Sequence, residues 1–186
     1  MKGEKALSSA LIALIFVAIT ITFSITAFLI YGSLSMQSYN SSYATKYVSE
    51  VEANTKIAVS PLSFKLLRGN TLQNAQYYVN FLLFVQLPYK GEIYAVPFVT
   101  YSTSSPYTAV PIAFNASIQQ LPKVTFNDVY IYLPQGNNIG PLTLVAYNLT
   151  SSITTLNVTA EVKPGEIIVV WILIYYEGRL YRIVYP

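Results

Sequence analysis

The sequence predicts an α+β chain: a long hydrophobic N-terminal helix, suited to a membrane span or a filament core, followed by an all-β domain of the immunoglobulin-like sandwich type. Three observations predict it. No charged residue occurs between Ala6 and Thr45, and residues 10–31 are almost wholly apolar. From Lys56 onward the chain breaks into short segments rich in Val, Ile, Thr, Tyr and Phe, separated by Pro, Gly and Asn, which is the pattern of strands and turns. Charged residues make up 10% of the 186 residues, against about 25% in an average soluble domain, so the polar surface is mainly Ser, Thr, Asn, Gln and Tyr.

The helix comes first. About 20 apolar residues span a hydrocarbon core of about 30 Å, and residues 10–31 meet that length. Lys2 and Lys5 precede the run and no basic residue follows it until Lys46, so the positive-inside rule puts the N-terminus in the cytoplasm and the remainder outside. A secretory signal has an apolar stretch of only about 7–15 residues, although Ser33-Leu34-Ser35 does offer a small-x-small site. Beyond the span, Tyr39, Tyr43, Tyr47 and Val51 recur every four residues, which on a helix forms one aromatic and apolar stripe. An outer, amphipathic half over residues 36–54 is therefore expected, its stripe packing on the domain that follows.

The junction Lys5-Ala6-Leu7-Ser8-Ser9 sets a lysine, a small residue and the apolar run in immediate succession. It resembles the class III signal peptide of archaeal type IV prepilins. The resemblance covers about the first 35 residues and implies that a membrane peptidase cuts between Ala6 and Leu7, leaving the helix on the mature chain. Residues 1–6 would then be the leader, 7–55 the helix and 56–186 the outer domain. Bacterial pilins carry a glutamate at the fifth mature position, where this chain has Leu11, so the likeness is to the archaeal branch.

What the resemblance implies is a structural subunit of a surface filament serving adhesion, aggregation or motility. Its partners would be copies of itself, a prepilin peptidase, an assembly ATPase, a membrane platform and, before assembly, membrane lipid. Two other layouts fit the same outline: a membrane-anchored accessory protein of an archaellum or pilus machine that touches the surface layer, and an anchored solute- or sugar-binding module.

Expected strands lie at 56–67, 76–87, 92–101, 107–114, 123–133, 142–147, 153–162, 166–176 and 179–185. Residues 167–176 form an unbroken apolar run, the mark of a central strand buried on both faces. Glu177-Gly178 separates it from the next strand and predicts a closing hairpin. Sequons for N-linked glycosylation stand at Asn40, Asn115, Asn148 and Asn157, all on the side assigned as outward.

The chemistry available to the chain is restricted. Cysteine and histidine are both absent, which removes disulfides, thiolate and imidazole ligands, the cysteine nucleophile, and the histidine base of hydrolytic triads. The acids outside the leader are Glu50, Glu52, Glu92, Asp128, Glu161, Glu166 and Glu177, expected as solvated turn residues. Neither metal nor cofactor is expected. The formal charge of +3 is scattered along the chain, unlike the basic face of a nucleic-acid binder, so no nucleic-acid partner is expected either. Tyr77, Tyr78, Tyr101, Tyr107, Tyr130 and Tyr132 are candidates for a carbohydrate-stacking face.

Overall fold

A computed structural model describes residues 2–69, 71, 74–102, 110–133 and 137–184. An apolar N-terminal helix is followed by a β-rich domain, as the sequence predicts. Helix α1 runs without interruption over Lys2–Ala53. The chain divides into two compact units, residues 1–43 and 44–186, so the last turns of α1 belong with the strands.

Ten strands follow: β1 (Lys56–Val59), β2 (Ser63–Arg68), β3 (Gln76–Gln86), β4 (Ile93–Tyr101), β5 (Ala116–Ile118), β6 (Lys123–Tyr132), β7 (Asn138–Leu149), β8 (Ile153–Val162), β9 (Glu166–Tyr176) and β10 (Arg179–Val184). They build two sheets. One has the order β1-β3-β8-β5, with β2 also on β3. The other closes on itself as a five-stranded barrel, β10-β6-β7-β4-β9. An immunoglobulin-like sandwich would have two open sheets. Here β10 instead pairs in parallel with β6, Leu180 opposite Ile131 and Tyr181 opposite Tyr132, and that contact closes the ring.

Two further differences from expectation have local causes. The strand expected at 56–67 is broken by the Ser60-Pro61-Leu62 segment into β1 and β2, which lie along the same edge of β3. Proline has no N–H to give to the ladder and is tolerated at such an edge. Of the strand expected at 107–114, residues 107–109 lie outside the described set, and residues 110–114 contribute only an isolated bridge from Ala113 to Val99. The regular pairing comes later, where β5 meets β8.

The core lies in two layers that share β4 and β9. Tyr94, Val96 and Phe98 of β4 and Val169, Trp171 and Leu173 of β9 fill the barrel interior. The alternate residues Ile93, Ala95 and Val99, with Val170, Ile172 and Ile174, face the other sheet and the end of α1. Successive side chains of a strand point to opposite faces, so an unbroken apolar run is what a strand covered on both sides requires. The central position expected for residues 167–176 is thus realised. Trp171 meets Phe98 edge to face, with ring centroids 4.7 Å apart.

The β9–β10 hairpin forms where expected. Glu177 and Gly178 both take left-handed backbone angles, φ 48° and 77°, as a tight two-residue hairpin turn with the twist of its strands demands. A Cβ added at Gly178 would meet no atom within 4 Å, so the cost of a side chain there is conformational alone.

Two outcomes are expected in urea unfolding of the detergent-solubilised chain, followed by fluorescence of the single tryptophan. Ile172→Ala, which empties a fully buried position, costs about 2–5 kcal/mol. Gly178→Ala costs roughly 1–2 kcal/mol and leaves the strand pairing intact.

Candidate functional site

The most exposed apolar surface lies on α1. Residues Leu14–Met36 form a 23-residue stretch of mean hydropathy 2.3, long and apolar enough to cross a membrane. Every residue in it is exposed except Ala27, which is half-buried. Four of its hydroxyls bond back within the helix. Thr20, Thr22 and Thr26 donate to the carbonyls of Phe16, Ala18 and Thr22 at 2.8–2.9 Å, and Ser33 donates to Ile30 at 2.9 Å. In an apolar medium an unpaired hydroxyl is costly, and these bonds remove that cost for the four side chains that make them. The stretch therefore suits lipid or a layer of neighbouring helices.

The last turns of α1 pack into the β-domain through Ala44, Val48 and Val51. This buried face is turned from the expected stripe. Tyr43 is 55% exposed, Tyr47 and Val51 do pack inward, and the Tyr39 side chain lies outside the described set. Tyr47 stacks on Tyr176 at 4.8 Å and meets the edge of Tyr89 at 6.4 Å. The Tyr89 hydroxyl donates to the Tyr175 carbonyl at 2.7 Å, and its pKa is raised, chiefly by burial and then by Tyr47, Glu92 and Tyr176.

The end of α1 is closed by polar side chains in place of a glycine. Asn54 donates through Nδ2 to the Glu50 carbonyl and Thr55 through Oγ1 to the Val51 carbonyl, at 2.8 and 2.7 Å. They add to the Asn54 N–H, which itself donates to the Glu50 and Val51 carbonyls at 3.3 and 3.2 Å. On the same last turn, burial raises the pKa of Glu52 while the charge of Arg182 opposes the shift. Arg182 is itself buried, its guanidinium 5.7 Å from the centre of the Trp171 ring.

The candidate tyrosines are not brought to one face. Tyr77 packs on the core between the sheets. Tyr78, the next residue on β3, therefore points to the opposite face, where it pairs with Glu161. Tyr101 and Tyr130 are exposed on different strands of the barrel, and Tyr132 lies 5.6 Å from Tyr181 with Arg179 over its ring at 4.9 Å. Tyr107 lies outside the described residues. Among the described residues, no three acids gather as a metal-holding group.

The sequons differ in setting. Asn115 is exposed in the loop before β5, its Nδ2 donating to the Glu161 carbonyl at 2.7 Å. Asn148 is half-buried on β7 opposite Tyr94, on the strand face turned to the barrel interior. Asn157 sits in mid-strand on β8, its Oδ1 buried and its Nδ2 bonded to Gln119 at 3.0 Å. The backbone at Lys5, Ala6, Leu7 and Asn40 belongs to α1, and their side chains lie outside the described set.

One feature gave no signal in the sequence. An apolar cleft of about 360 Å³ opens between the sheets, lined by Leu62, Val79, Phe81, Val162 and Ile168, with Glu166 as its single charged wall. Its lining comes from five separate segments, so no local motif encodes it. No family model, curated protein or solved structure matches the chain.

The hydroxyl of Tyr94 leaves the barrel end and donates to Glu92 at 2.9 Å. Burial, then that bond and the Glu92 charge, push its pKa up from 10.0 to about 12. A phenol whose folded pKa is raised favours the folded state below its unfolded pKa, and the advantage is lost as pH climbs from 10 to about 12. Absorbance titration of tyrosinate is expected to show a late-ionising component that is missing in Tyr94→Phe. Unfolding midpoints of the native chain are expected to fall more steeply than those of Tyr94→Phe across the same window.

Proposed function

We propose that the chain is a structural subunit of a type IV pilus-like surface filament, with no enzymatic role. The observation that carries this reading is the 23-residue apolar stretch of α1, exposed around its circumference and with its three threonine hydroxyls bonded within the helix. A helix that needs apolar surroundings on all sides can exchange lipid for copies of itself. Such an exchange is driven by close packing between helices, and the absence of charge from Ala6 to Thr45 lets the helix leave the bilayer.

Before assembly the helix holds the chain in the membrane, N-terminus inside and β-domain outside. Removal of residues 1–6 between Ala6 and Leu7 takes away Lys2, Glu4 and Lys5, the only charges ahead of the apolar run. The β-domain then forms the outer layer of the filament. In this reading the peptidase, the assembly ATPase and the membrane platform act on the leader and the helix, and the β-domain makes the contacts that give adhesion or aggregation.

Filaments sheared from cells are expected to contain this polypeptide with Leu7 as its first residue. The chain found only in membranes with Met1 intact would contradict the proposal. Ile19→Lys places a charge near the centre of the stretch, where it costs about 2.5–3.5 kcal/mol in lipid. That variant is expected to be lost from sheared filaments while the urea unfolding of its β-domain stays unchanged.

A further inference from the structure

The four sequons are equivalent as sequence but not as structure. We propose that Asn115 is the acceptor of an N-linked glycan and that Asn148 and Asn157 are not, an inference that rests on the outward placement of the β-domain.

The geometry at Asn115 leaves room for the modification and a reason to keep the side chain ordered afterwards. An asparagine amide nitrogen carries two hydrogens. One donates to the Glu161 carbonyl at 2.7 Å, and the other is available for replacement by a sugar. The bond to β8 can therefore survive glycosylation. The residue is exposed and precedes β5, a strand of three residues at the end of its sheet. At Asn157 the same test fails. Its Nδ2 is held by Gln119, its Oδ1 is buried, and it lies in mid-strand between neighbours on both sides, β3 and β5. At Asn148 the side chain shares the barrel-interior face with Tyr94.

The co-substrate is an oligosaccharide activated as a lipid-linked phosphate ester. The Asn115 Nδ2 electron pair forms a bond to the anomeric carbon, the carbon–oxygen bond to phosphate breaks, and the phosphate leaves with the electron pair of that broken bond. The displaced Nδ2 proton goes to a base of the transferase. No oxidant or reductant is required.

A glycan at this position would stand beside two exposed features of the domain. Val110, Ile112 and Phe114 precede it and are all exposed, and β5 is the end strand of its sheet among the described residues. Bare edges invite pairing with other chains, and a bulky hydrated group next to one blocks that approach.

The test uses full-length chain from its own cells. Tryptic peptide 91–123 contains Asn115 as its only asparagine. Mass spectrometry is expected to find it carrying a sugar mass that Asn115→Gln abolishes, with Asn148 and Asn157 unmodified. Survival of the mass in Asn115→Gln would place the sugar on a serine or threonine and overturn the proposal, as would sugar on Asn148 or Asn157. Protease added to intact cells separates two kinds of failure. An unmodified peptide from a domain cut by external protease overturns this inference alone, and an unmodified peptide from a protected domain overturns the outward placement as well.

Discussion

The fold depends on one constraint, that β9 be apolar on both faces. Its even residues Val170, Ile172 and Ile174 belong to the layer between the sheets, and its odd residues Val169, Trp171 and Leu173 fill the barrel. β4 repeats the arrangement beside it, paired along the whole length from Ile93 opposite Ile174 to Tyr101 opposite Glu166. These two strands are shared walls. Removing apolar surface from water stabilises by about 25 cal/mol per Å², and a strand buried on both faces collects that gain twice per unit of backbone ordered. A chain with 10% charged residues and no disulfide draws its stability from this layer.

The last turns of α1 use the same layer. Ala44, Val48 and Val51 join the cluster that contains Ile172, Ile174 and Ile183, and the stacked pair Tyr47–Tyr176 lies at its border. Farther toward the N-terminus the character of the helix changes. Its side chains from Leu14 to Met36 are exposed, with Ala27 half-buried, and its threonines bond to the preceding turn. One unbroken helix thus carries a face buried inside the domain and a stretch long and apolar enough to cross a membrane.

The parts of this structure legible in the sequence are those fixed by local pattern. The length of the apolar helix, the doubly buried run before Glu177 and the hairpin at Gly178 all follow from neighbouring residues. What was not legible is non-local. Closure of the barrel rests on a short parallel contact between Leu180 and Ile131, residues that no periodicity links. The division of the first β segment turned on Pro61, whose effect depends on which edge of β3 it meets. The helix stripe was displaced because burial at Ala44 follows the shape of the domain, while aromatic spacing pointed to Tyr43. Of the candidate tyrosines, the strict alternation of a strand sends Tyr77 and Tyr78 to opposite faces. The sequons were visible as motifs, and only tertiary structure separates Asn115 from Asn157.

In the proposed filament, the exposed apolar stretch of α1 exchanges lipid for copies of itself. Electron cryo-microscopy of filaments from the source cells tests it most directly. The expected result is a core of packed helices with residues 14–36 inside and one β-domain per subunit on the outside, each domain showing a closed barrel around the Trp171 side chain. Filaments built entirely from another polypeptide, with this chain confined to the membrane fraction, would contradict it.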